Sequence, residues 1–159
     1  QLDIQQPKRF GLEYTDNEGN NRMPFVFHRA IYGSFERFLG ILIEHYAAKF
    51  PLWLSPIQVA VIPVSEKAVE FAKGITKELQ DLDIKVIHLA HNDTIGAKIR
   101  EATLQKIPYM CIIGEKEISL SESSGKKQIA VRSRSGENLG IQDFESFIKR
   151  IKNEIETKT

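Results

Sequence analysis

A single cysteine, a single tryptophan and the lack of any long apolar run set the first limits on this 159-residue chain. One thiol, Cys111, excludes an internal disulfide and fits a reducing, cytoplasmic setting. No apolar stretch approaches the ~18 residues needed to span a bilayer, so no membrane partner is expected. Residues 1–9 lack the basic-then-apolar layout of a signal peptide. A dominant charge sign is missing too, since 22 basic and 21 acidic side chains leave a net +1. What remains is 42% hydrophobic and 27% charged, the composition of a globular protein able to bury a core. The length suits one ordinary domain, or one domain and part of another.

The near-neutral total hides an uneven distribution. Residues 98–134 hold eight basic side chains (Lys98, Arg100, Lys106, Lys116, Lys126, Lys127, Arg132 and Arg134) against four acidic ones. The rest of the chain is balanced or slightly acidic. A basic block of this kind attracts polyanions, although most such blocks are simply solvated faces.

Periodicity divides the chain. Gln1–Ile4 and Phe10–Tyr14 alternate like strands, and Met23–Phe27 is a second apolar run beyond the polar cluster at 15–21. An antiparallel hairpin with a long turn is expected there, one too small to be stable without a partner surface. From Ser34 the apolar spacing becomes helical through Phe35, Phe38, Leu39, Leu42, Ile43 and Tyr46. Pro51 and Pro56 then mark a linker at 51–56 between a segment at 1–50 and a domain at 57–159. In that domain strands at 57–62, 84–89 and 109–113 alternate with helical stripes at 68–82 and 95–107. Ser65 is placed to cap the first helix. The alternation predicts an α/β fold with a mixed, largely parallel sheet flanked by helices. Residues 128–133 are expected as an edge strand, 119–128 as a mobile loop, and 141–155 as a final helix.

One stretch carries a family resemblance. His28-Arg29-Ala30-Ile31-Tyr32-Gly33-Ser34-Phe35-Glu36-Arg37-Phe38 resembles the third signature motif of class II aminoacyl-tRNA synthetases. Glycine lets the backbone run close to a ligand, and the planar fork of arginine suits phosphate oxygens. Met23-Pro24, Ile41–Tyr46, Phe50–Val59, Gly96–Glu101, Lys106–Met110 and Val131–Arg134 extend the match across the chain. The whole is similar to the threonyl-tRNA synthetases, with 119–128 somewhat longer than usual.

The resemblance implies that residues 1–50 are the last part of a class II catalytic domain, a hairpin and helix, and 57–159 an anticodon-binding domain. It implies that Arg37, Gln1 and Asp3 belong to the ATP and adenylate side of a catalytic site. His28 would be one of three zinc ligands, the other two lying outside this sequence. His88, His91 and Cys111 are not expected to replace them. In the whole enzyme zinc and Mg²⁺–ATP would be cofactors and threonine the substrate. This chain alone is expected to bind none of them and to lack ligase activity. Asn92, Glu117 and Arg132 would read anticodon base edges, with Lys98, Arg100, Lys106 and Lys116 on the backbone phosphates. Arg100 has an alternative role as a structural partner of Glu101 or another carboxylate. The expected partner is threonine tRNA, with self-association into a homodimer through residues 1–50. A stand-alone RNA-binding or regulatory module is the alternative function.

Overall fold

A computed structural model describes residues 1–159, and two compact units divide it at Leu42/Ile43. The division falls within a helix, α2, at Phe35–Tyr46. It lies earlier than the 51–56 segment that the prolines suggested.

In the first unit β1 (Leu2–Asp3) pairs antiparallel with β4 (Val26–Phe27), and β2 (Tyr14–Thr15) pairs with β3 (Asn21–Arg22). The expected hairpin is therefore present around 16–20, where Asp16 Oδ1 accepts the amides of Glu18 and Asn20 at 3.0 and 2.9 Å. The alternation read at Phe10–Tyr14 is not one strand. Gln5–Phe10 forms the short helix α1, started by Asp3 Oδ1 accepting from the amides of Gln5 and Gln6. Gly11 closes it at φ +60°, a left-handed turn that glycine makes without strain. Pro7 is the only residue of this unit that is buried. Phe10, Phe27, Ile31 and Phe35 are all more than two-thirds exposed, and α2 buries none of its side chains.

The second unit is built on a five-stranded sheet in the order β6-β5-β7-β8-β9. Here β5 is Val59–Pro63, β6 Val86–His88, β7 Tyr109–Ile113, β8 Gln128–Ser133 and β9 Asn138–Asp143. Strands β6, β5 and β7 are parallel, while β8 and β9 run antiparallel, so the sheet is mixed as expected. The expectation of β8 at an edge fails, because β9 pairs beyond it. The segment 119–128 is not a loop over most of its length either, since α5 covers Glu115–Ser124. Its serines bond inward to the helix carbonyls: Ser121 Oγ donates to Glu117 O at 2.7 Å and Ser124 Oγ to Leu120 O at 2.7 Å.

Alternation along β5 feeds two cores. Val59 and Val61 pack with Ala68, Ile75 and Leu79 of α3 (Glu66–Asp81) and with Phe144, Phe147 and Ile151 of α6 (Phe144–Thr157). Ala60 and Ile62 face the other way, onto Ala102 and Ile99 of α4 (Ile95–Leu104). The segment after α2 is keyed into the first core. Leu52 is buried, Gln58 Nε2 donates to its carbonyl at 3.0 Å, and the Arg134 guanidinium donates to Phe50 O at 2.6 Å. No helix is long and apolar enough to cross a membrane.

Candidate nucleic-acid interface

Because α3 and α4 cover opposite faces, the chain leaving β5 and the chain leaving β6 diverge. That divergence opens a crevice beyond the carboxyl ends of the two strands, the place where open α/β sheets most often take a ligand. A cavity of about 340 Å³ lies there, lined by the β5–α3 turn (Pro63 to Glu66), the β6–α4 turn (Ala90 to Asp93), Val69 and Lys98.

Each wall is set by local chemistry. Thr94 caps α4, its side chain accepting from the Ala97 amide at 3.2 Å, and so directs the β6–α4 turn. Asn92 is exposed on that turn and lines the cavity. His91 Nε2 lies 3.4 Å from Glu101, which also accepts from Gln105 Nε2 at 3.3 Å, while Arg100 is exposed on α4 without an ion pair. Burial, together with the charges of Lys73 and Lys98, pushes the His88 imidazole below its ordinary pKa.

Glu117 occupies the third position of α5, where its Oε2 accepts the Gly114 amide at 2.9 Å and closes the helix start. A Cβ on Gly114 would meet that oxygen at 3.2 Å and Val64 at 3.5 Å. Gly114 is thus the close-approach point that brings Glu117 beside the exposed Val64. Asn92 thus lines the cavity, whereas Glu117 is only 8% exposed and does not, its carboxylate being spent on the start of α5; Lys116 is exposed in the first turn of that helix.

The remaining candidates do not join them. Arg132 is in register with Met110 on β7, three residues and roughly 10 Å of strand away from the carboxyl end at Ile113. Lys106 follows α4 in a left-handed conformation at φ +59°, at that same far end. Lys98 is not a surface cation, since only 6% of it is exposed and its Nζ donates to Pro63 O at 3.3 Å. The far end holds a larger cavity, about 450 Å³, bordered by Tyr109, Arg134, Lys49 and Glu154. Sequence reasoning took Ser65 only as a helix cap. Its backbone is extended as a cap requires, but its hydroxyl makes no capping bond and lies buried without a partner.

In the first unit the β1–β4 pairing sets Gln1, Asp3 and His28 side by side. His28 Nε2 lies 3.0 Å from Asp3 Oδ2. The Asp3 carboxyl is held below the usual carboxylate range by the Gln6 amide and by His28. Arg37 is exposed at the start of α2, its Cδ 3.8 Å from where a Cβ on Gly33 (φ +76°) would stand. One imidazole and one carboxylate do not make a zinc site, and no group of three or more His, Cys, Asp or Glu side chains able to hold a metal occurs in the chain. Cys111 is fully buried, which pushes its thiol up and leaves it inert.

Comparison with known proteins accords with this geometry. The chain is 48% identical over 158 residues to a threonine–tRNA ligase of Caldanaerobacter subterraneus subsp. tengcongensis, covering 99% of this chain and 24% of that protein. It is 45% identical over its full length to the threonine–tRNA ligase of Desulforamulus reducens, again 24% of the relative. The chain thus spans about a quarter of the length of these relatives. The crystal structure of the RNA binding domain of threonyl-tRNA synthetase from Cryptosporidium parvum Iowa II matches 96% of this chain and 38% of its own, at 37% identity and a TM-score of 0.74. Residues 58–154, which contain the whole crevice, match the model of the anticodon binding domain, and the chain belongs to that family.

Proposed function

We propose that this chain recognises the anticodon of threonine tRNA as part of a longer threonine–tRNA ligase, at the crevice beyond β5 and β6. The observation that carries this reading is the exposed Asn92 on the lining of a polar cavity at the strand ends of an anticodon-binding domain. Anticodon bases are unstacked and can be read on their edges. The Asn92 amide offers both a donor and an acceptor.

The wider activity of the whole protein belongs to the same proposal. ATP, threonine, Mg²⁺ and zinc would act in a catalytic domain to which Gln1, Asp3, His28 and Arg37 contribute one edge. His28 and Asp3 do not form a metal site by themselves, so no catalytic step is assigned to this chain, and it should not aminoacylate alone. The large exposed apolar side chains of residues 1–42 need cover. The remainder of the ligase would supply it, and without that the chain should self-associate through this segment. The expected compartment is the cytoplasm.

The test is binding of the chain to threonine tRNA and to the same tRNA with an altered anticodon, across a salt series. Loss of affinity on altering the anticodon supports the reading. Equal, salt-sensitive binding to both would reduce the interaction to charge alone.

A further inference from the structure

The end of the sheet opposite the crevice holds a cavity of about 450 Å³ that the anticodon reading leaves unused. All of its lining belongs to the second unit. Its size falls within the roughly 300–1,000 Å³ of small-molecule sites and far exceeds the ~30 Å³ share of one water.

Two cations line it without an ion pair, Lys49 and Arg134. Arg134 is fixed twice, its amide donating to Pro108 O at 2.9 Å and its guanidinium to Phe50 O at 2.6 Å. Most of the guanidinium N–H groups are still unused. Lys49 is exposed and comes to the cavity from the turn that ends α2, just after the left-handed Ala47 and Ala48. The Ser133 and Ser135 hydroxyls lie 2.6 Å apart, so one donates to the other and the second proton is free to donate outward. Glu154 is the one carboxylate side chain at the cavity. Both its oxygens share the single Tyr109 hydroxyl proton, and lone pairs remain to accept more. Tyr46, Pro51 and Pro108 make the rest of the wall largely apolar.

A ligand that uses all of these groups needs an anion, hydroxyl donors and a flat apolar body. Inorganic phosphate supplies only the first and would leave Glu154 facing a like charge. An amino acid supplies an anion and a donor but fills little of the volume. A nucleotide supplies all three. The planar fork of arginine suits its phosphate, a carboxylate is a good acceptor for ribose hydroxyls, and a tyrosine ring stacks on any base. We propose that this cavity binds a nucleoside 5′-phosphate, free or as one unit of single-stranded RNA. Lys49 and Arg134 take the phosphate, Glu154 the ribose hydroxyls and Tyr46 the base. The site lies at the other end of the sheet from Asn92, so this assignment and the anticodon reading stand or fall separately.

The experiment is calorimetry on the chain with AMP, adenosine, inorganic phosphate and 2′,3′-dideoxy-AMP. AMP should bind roughly ten-fold or more tightly than each of the others, since each lacks a charged or carboxylate-accepted hydrogen bond. Lys49→Gln alters an exposed side chain that the fold does not use, and it should weaken AMP several-fold while leaving adenosine unchanged. Glu154→Gln should close the gap between AMP and dideoxy-AMP. A short oligoadenylate that displaces AMP identifies an RNA strand as the occupant, and one that does not identifies the free nucleotide. Absence of AMP binding overturns the proposal, as does phosphate binding as tightly as AMP or an AMP affinity that both variants leave intact. AMP binding that Asn92→Ala removes and Lys49→Gln spares would put the nucleotide in the crevice and overturn it too.

Discussion

Tyr109 donates its hydroxyl toward both oxygens of Glu154, at 3.0 Å each, while the Arg150 guanidinium sits 5.2 Å from its ring centre. Burial and the Glu154 carboxylate raise its pKa to about 12. A phenol whose folded pKa stands above its unfolded value near 10 holds its proton more tightly when folded. Its contribution to stability is complete below about pH 10 and is lost as the pH rises toward 12. In an absorbance titration of phenolate, one of the four tyrosines should therefore ionise late, and Tyr109→Phe should remove that late step alone. Residue-level chemistry of this kind could not be read in advance. Tyr109 was legible as part of a buried strand, but its partner is 45 positions away on another element. Lys98 illustrates the same limit. Its charge placed it among surface cations, whereas its position on α4 turned it toward the crevice.

At the scale of elements, α2 ends in an unusual way. Ala47 and Ala48 both have left-handed backbones, at φ +47° and +58°, and the Ala48 amide donates to Ile43 O at 2.9 Å. Helices commonly stop on one left-handed residue, and that residue is usually glycine. For alanine the conformation costs roughly 1–2 kcal/mol, partly offset because glycine would loosen the unfolded chain by about 0.4–1 kcal/mol. Ala48→Gly should accordingly stabilise the protein by about 0.5–1 kcal/mol, seen as a later midpoint in denaturant. The stop itself was legible from Pro51, but its geometry was not. Helices α2, α3, α4 and α6 all announced themselves through apolar spacing. Helix α5 did not, because its serines satisfy their hydroxyls within the helix and its amphipathicity is weak. Strand β9 was hidden because Ile141 also fitted the stripe of the following helix and because Gly140, at φ +78°, interrupts its alternation.

At the scale of the second unit, the basic block of the sequence is divided between the two ends of the sheet. The crevice end carries Asn92 and the enclosed Lys98, the acidic Glu66 and Asp93, and the exposed Lys116 at the start of α5. The far end gathers Lys106, Arg132 and Arg134. Read along the chain, the cations at 98–134 form one basic block that nothing divides, because only the pairing of antiparallel β8 returns Arg132 to the end where β7 begins. Long-range attraction for RNA should come from the far end and base discrimination from the crevice. Lys106→Gln with Arg132→Gln should thus weaken binding to parent and anticodon-altered tRNA by the same factor. The salt slope should shrink by about 0.7 for each phosphate that is no longer neutralised, measured by titration at several ionic strengths.

The docking of residues 50–58 also has a mechanical side. Leu52 is locked among the side chains of the larger core, and Phe50 is tethered through Arg134 to the end of β8. A tug on the backbone upstream of Phe50 would not peel β5 from the sheet one bond at a time. It would be shared at once between the strand that leads into Arg134 and the helix against which the Leu52 segment rests, so the unit would resist it as a block.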